Sequence, residues 1–164
     1  MRTAIISFCL LISSASAAAP RPAFPGAEGW AANTPGGRGG RILRVTTLAA
    51  EGPGSLSEAL ATRGPRIVVF EVGGVIDLAG KIIEVREPFL TVAGQTAPSP
   101  GITLIRGGLL IGSHDVVIRH VRVRPGEAGH AKASGWEPDG LSTLQHSHDI
   151  IVDHCSFTWG IDEN

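Results

Sequence analysis

Polar and apolar positions alternate through Arg41-Ile42-Leu43-Arg44-Val45-Thr46. That period of two predicts a strand with one buried face. A breaker follows at Gly52-Pro53-Gly54, and the pattern then changes. Leu56, Ala59 and Leu60 fall on one helical face, preceded by Ser55 and followed at the right spacing by Glu58. Ser55 and Glu58 form a capping box, so a helix is predicted over 56–62, ended by Gly64-Pro65. From Arg66 onward the chain reads as short strands between turns. Strands are predicted at 67–72, 75–78, 82–85, 90–93, 102–105, 109–111, 116–123, 141–144 and 150–157. Runs such as Ile67-Val68-Val69-Phe70 and Val116-Val117-Ile118 lack alternation, which predicts burial on both faces or strands in a stacked sheet.

Two offsets suggest repetition. Leu90-Thr91-Val92-Ala93 aligns with Val117-Ile118-Arg119-His120 at 27 residues, and Ser113-His114-Asp115 matches Ser147-His148-Asp149 at 34. Such periods, with several strands in each, fit a parallel β-solenoid in which each coil stacks on the last. The longer second period comes from a polar insertion at 127–138, and solenoid insertions map to loops. A β-sandwich is the competing fold. It would prefer clean alternation and tight hairpin turns, and the single Asp-Gly dipeptide, Asp139-Gly140, sits at the end of the insertion.

Composition narrows the setting. Arg2, the apolar run 4–12 and Ala15-Ser16-Ala17 predict a signal peptide over 1–17. That run is too short to cross a bilayer core of about 30 Å, so no membrane anchor is expected and the protein is read as secreted. A leader over 18–23 and one β domain over 24–164 follow, because Phe24 and Trp30 are large aromatics that tails rarely carry. Without the signal, Lys+Arg falls from 14 to 13 against 15 acids, a net charge near −2. That excludes the basic patch of a nucleic-acid binder. One cysteine remains, Cys155, so no intrachain disulfide can form. Gly36-Gly37-Arg38-Gly39-Gly40 lacks the Lys-Ser/Thr ending of a phosphate loop and follows no strand.

Three carboxylates are candidates for a site: Asp139 at a strand start, and Asp162 and Glu163 one turn past the last strand. Clustered carboxylates repel and need a cation, and an all-oxygen set suits Ca²⁺. Solvated loop acids are the alternative. His146 and His148, two apart, could share a strand face as Zn²⁺ ligands. His120 and His154 are repeat equivalents, which favours a structural ladder, and Asp153 could pair with Arg119 across coils. Cys155 cannot meet its neighbour His154, since consecutive strand residues point to opposite faces, and is expected to be buried. Trp136 or Trp159 could stack on a sugar, with core packing at least as good a reading for Trp159. Arg119, Arg122 and Arg124, placed on one strand, could contact an acidic substrate.

The stretches AFPGAEGW (23–30), GGRGG (36–40), EGPGSLSEAL (51–60), TVAGQTAPSPGITL (91–104), DVVIRHVRVRPG (115–126) and IIVDHCSFTWGIDEN (150–164) together resemble polysaccharide lyase family 1, the pectate lyases. The resemblance is ordered from Ala23 to Asn164. It implies an all-β fold, a right-handed parallel β-helix capped at its N-terminal end by the helix at 56–62. It implies cleavage of polygalacturonate by β-elimination: Ca²⁺ bridges enzyme carboxylates and the substrate uronate, an arginine removes the C5 proton, and the C4–O4 bond breaks. By motif, Asp139 corresponds to the first Ca²⁺ aspartate, in a Pro-Asp-Gly-Leu-Ser setting, and Asp162 and Glu163 to the next acidic position.

The resemblance also puts the catalytic arginine, a further Ca²⁺ ligand and several coils beyond Asn164, so the chain is expected to be an N-terminal portion, truncated at its C-terminal end. Without a positioned base, proton transfer loses ~10²–10⁴-fold, and the chain as given is expected to show no measurable lyase activity. It is expected to act as a monomer on an acidic polysaccharide, with no nucleic acid or membrane partner. A non-catalytic remnant or uronate-binding module is the alternative. A hydrolase on the same scaffold would need paired aspartates and no Ca²⁺.

Overall fold

A computed structural model describes residues 21–131 and 134–162. The expected signal segment and Glu163 lie outside the described residues. The alternating segment forms β1 (Arg41–Val45), and the capped segment forms α1 (Leu56–Ala61). Thereafter come β2 (Arg66–Phe70), β3 (Gly74–Asp77), β4 (Ile83–Val85), β5 (Leu90–Ala93), β6 (Ile102–Ile105), β7 (Leu109–Ile111), β8 (His114–Arg119), β9 (Val121–Arg124), β10 (Leu141–Thr143), β11 (His148–Asp153) and β12 (Ser156–Phe157).

These strands assemble into three sheets with parallel pairing throughout. The first runs β1-β2-β5-β8-β11, the second β12-β9-β6-β3 and the third β10-β7-β4. The chain therefore visits the three sheets in turn and returns to the first, laying each strand beside the one from the previous circuit. The expected sandwich alternative is excluded, since no pair is antiparallel among the described residues. Leu90, Val92, Ile102, Leu104, Ile111, Val116, Ile118 and Val123 fill the space between the sheets, each 3% exposed or less.

Two strand predictions need correction. The runs at 116–123 and 150–157 each form two strands in different sheets, because His120 (φ +55°) and His154 (φ +52°) take left-handed backbone and turn the chain. Histidine is among the few non-glycine residues enriched there. The offset between 90–93 and its successor is also wrong by one: Leu90 pairs with Val116, not Val117. The offset of 34 holds, with His148 beside His114 and Ile150 beside Val116.

The helix lies against β1, β2 and β4 and buries Leu56, Ala59 and Leu60. Leu56 and Leu60 line a small void together with Val85, Val92, Leu104 and Ile118, so α1 closes one side of the interior. Its cap differs from the expected box. Ser55 Oγ accepts from the Glu58 N–H (3.2 Å), but Glu58 reaches past Ser55 to accept from the Gly54 N–H (2.7 Å). At the helix end, Arg66 is fully buried and its guanidinium donates to five carbonyls: Ala59, Leu60, Gly64, Glu87 and Pro88.

The glycine-rich stretch before β1 runs over the outer face of the first sheet. The Gly37 N–H donates to Thr91 Oγ1 (2.9 Å), and Thr34 Oγ1 donates to Asp115 (2.8 Å). A Cβ on Gly37 would sit 1.8 Å from the Arg66 carbonyl oxygen, so the close approach requires glycine there. This arm covers Val117, which explains why Val116, Val117 and Ile118 are all buried. Ile67 and Val69 are half-buried while Val68 and Phe70 are buried, so two-sided burial is complete in β8 and partial in β2.

Candidate active site

Asp139 ends the insertion and stands two residues before β10. The third sheet fixes its backbone. Leu141 pairs with Leu109, the Leu109 N–H donates to the Gly140 carbonyl (3.1 Å), and Gly108 lies so close to the Asp139 carbonyl that a Cβ would come within 2.2 Å. The side chain is half-buried, and Ser142 Oγ donates to its Oδ2 at 2.5 Å. That contact is local, three residues along, and holds the carboxylate in one orientation.

Asp162 belongs to a segment of the next circuit that runs beside this one. The Ile161 N–H donates to the carbonyl of buried Pro138 (3.3 Å), which sets the 160–162 segment alongside 138–139. The Asp162 side chain is exposed. Beside this junction lies a cavity of about 300 Å³ lined by Glu127, His130, Trp136, Glu137, Gly160 and Ile161. Trp136 stacks on His130 (centroids 4.5 Å) and its Nε1–H donates to the Gly126 carbonyl (3.1 Å). The two described carboxylates offer oxygen donors alone, the donor type a hard cation such as Ca²⁺ takes. They supply a minority of its 6–8 oxygens, leaving room for water and a ligand.

The remaining candidates separate. His146 Nε2 faces the Gly112 carbonyl (3.0 Å), while His148 stacks on His114 (4.8 Å) and turns Nδ1 to Asp149 (2.9 Å). These two do not converge. Arg119 pairs with Asp153 across coils as expected (2.6 Å), and its guanidinium covers the Phe24 ring at 3.8 Å. It is not on the strand of Arg122 and Arg124, since the left-handed His120 intervenes. Arg122 bonds to Thr103 and the Pro100 carbonyl, so it serves the scaffold. Trp159 is not core: it is 70% exposed with Arg124 5.6 Å from its ring centroid.

Cys155 is half-buried against the core. Burial pushes its thiol above the ordinary range, which disfavours the nucleophilic thiolate. A grouping the sequence reading left as scaffold is His120, Asp153 and His154, whose ligating atoms all lie within 4.8 Å of one another. The signal was present in the repeat-equivalent histidines, which follow the paired strands β8 and β11.

No protein-family model matches the chain. Proteins named "Probable pectate lyase C" from Emericella nidulans, Aspergillus oryzae and Aspergillus fumigatus are each 42% identical to it over 142 residues, 86% of this chain. The chain spans 32% of the length of these curated relatives.

Proposed function

We propose that this chain, a member of the pectate lyase family by its kinship with those relatives, carries the first coils of a secreted, monomeric lyase that cleaves polygalacturonate by Ca²⁺-dependent β-elimination. The three-sheet circuit is then a right-handed parallel β-helix. The observation that carries the reading is the Ile161–Pro138 hydrogen bond, which sets the segment bearing Asp162 alongside the one bearing Asp139 from the preceding circuit. Asp139 and Asp162, with Glu163, would hold the ion. Bound Ca²⁺ would neutralise the uronate carboxylate of the substrate and acidify its C5 proton.

The chain's own part is to hold these oxygens in place. Ser142 orients the Asp139 carboxylate, and the ladder from Leu109 to Gly140 prevents the backbone from yielding to carboxylate repulsion. The adjoining cavity, with Trp136 and His130 as its flat wall, gives a sugar ring an apolar face beside the acids. No arginine follows Arg124 in the 164 residues, so the first test reads binding rather than turnover. The protein should be retarded in an affinity gel containing polygalacturonate when Ca²⁺ is present and run freely with chelator. Asp139→Asn should weaken retardation on the order of tenfold, because it removes one charged ligand. Retardation unaffected by chelator, or none at any Ca²⁺ concentration, refutes the reading.

A further inference from the structure

We propose that His120 and His154 form a second metal site, for a late first-row divalent cation such as Cu²⁺, Ni²⁺ or Zn²⁺. It lies at the corner between the first and second sheets, whereas Asp139 enters the third. His120 follows β8 and His154 follows β11. Their common offset stacks the two imidazoles with centroids 4.9 Å apart and planes 21° from parallel.

The nitrogens are differently placed for ligation. His154 Nδ1 lies 2.9 Å from Asp153 Oδ1, which leaves Nε2 as its free lone pair. A carboxylate behind a ligating histidine fixes the ring and raises its basicity. Asp153 does this without carrying uncompensated charge, because Arg119 Nε donates to its other oxygen at 2.6 Å. The His120 ring is half-buried and stacked on His154, and makes no hydrogen bond to a described residue. Metal–nitrogen bonds of about 2.0–2.1 Å put two ligating nitrogens about 3.3 Å apart around a tetrahedral ion. One ligand atom from each of His120, Asp153 and His154 lies within 4.8 Å of the others, and the spacing closes when the His120 ring turns out of the stack while Asp153 holds the His154 ring. Imidazole donors select late transition metals over Ca²⁺, so the two sites call for different ions.

The other stacked pair supplies the control. His114 and His148 are as close, but they belong to no group of three ligating residues among the described residues. Titration calorimetry of the tag-free protein with CuCl₂ and with ZnCl₂ should show one site, tighter for Cu²⁺, with nitrogen hyperfine structure in the Cu²⁺ electron paramagnetic spectrum. His120→Asn and His154→Asn keep a residue that tolerates left-handed backbone. Each should weaken binding on the order of 10-fold or more while the protein still unfolds in one cooperative transition, and Ca²⁺ in excess should not compete. His148→Asn should leave binding intact. The proposal is overturned by undiminished binding in the double His120→Asn/His154→Asn variant. Equal loss in His148→Asn, or no binding up to on the order of 1 mM metal, overturns it as well.

Discussion

Arg66→Met tests what holds the helix to the stacked strands. Arg66 is 0% exposed, and five backbone carbonyls converge on its guanidinium. Ala59 and Leu60 contribute carbonyls from the last turn of α1, where the Ala59 carbonyl also accepts from the Thr62 N–H at 3.4 Å. Glu87 and Pro88 come from the turn before β5. One side chain thus ties the helix end to two circuits. Burial lowers the guanidinium pKa from its ordinary value, though not into a range where it loses its proton. Methionine replaces the apolar stem and none of the donors. The Ala59 and Leu60 bonds are buried; the Leu60 carbonyl left without a partner costs about 1–3 kcal/mol, whereas the Ala59 carbonyl keeps the Thr62 N–H and loses roughly 0.5–1 kcal/mol. The other three carbonyls are partly open to water and lose roughly 0.5–1 kcal/mol each. Against this, an arginine no longer has to be desolvated. The balance is a loss of about 4 kcal/mol, a large share of the 5–15 kcal/mol typical of a domain. In urea, with a slope of about 2 kcal/mol/M, the midpoint followed by circular dichroism should fall by about 2 M. Arg66→Lys keeps the charge but has three donors on a narrow head, and should recover only about half of the loss. A midpoint for Arg66→Met within about 0.5 M of the parent protein refutes the reasoning. So does a lysine variant as stable as the parent.

Three further outcomes follow. Burial pushes the Asp153 pKa up, but hydrogen bonds from His154 and Arg119 outweigh it and hold the carboxyl below its ordinary value. Its contribution is therefore complete above the unfolded-state value of about 3.9 and lost as pH falls below it; Asp153→Asn should cost about 1 kcal/mol in urea unfolding at pH 7 and markedly less near pH 3. Gly108→Ala places a methyl group against the Asp139 carbonyl and should lower both the urea midpoint, by about 1–3 kcal/mol equivalent, and Ca²⁺ affinity measured by calorimetry. Ser142→Ala removes the hydrogen bond to Asp139 Oδ2 and should weaken Ca²⁺ on the order of tenfold while leaving the unfolding midpoint in place.

Much of the fold was legible because the strands announce themselves locally. The β-branched runs, the glycine turns and the Ser55–Glu58 spacing are short-range signals, and β5, β6, β7 and α1 lie where they point, α1 ending one residue early. What failed were features that depend on a residue's partner a circuit away. His120 and His154 looked like strand interior because a left-handed corner needs no glycine when a histidine takes it. Arg66 gave no sign of burial, since its five acceptors come from backbone, which any sequence would supply. Trp159 read equally well as core because nothing local says that Arg124 shares its surface. Asp139 stands out by its place before a strand, but the hydrogen bond that sets the Asp162 segment alongside it joins Pro138 and Ile161, backbone groups that no side-chain pattern marks.

The spacing between paired residues explains why one circuit was easier to read than the others. In the first sheet the step is 26 residues from Leu90 to Val116 and 34 from Val116 to Ile150. In the second it is 28 from Gly74 to Ile102, 19 from Ile102 to Val121 and 34 from Arg122 to Ser156. No single period exists, so an alignment carried from one circuit to the next slips, as it did by one residue at Leu90. Only the last two circuits share a step, 34, in both sheets. Equal steps on either side of a corner mean that the corner itself is unchanged, and this is why His154 lands on His120 and Asp153 on Arg119. A slip of one residue would set Arg119 beside Val152 or His154 and break the ion pair. The corner that keeps its length thus builds stacked columns. The one between β9 and β10, lengthened by the insertion, is free to carry Asp139. Length constancy and length variation along one chain divide it into an edge that stacks like upon like and an edge that can gather unlike groups around a ligand.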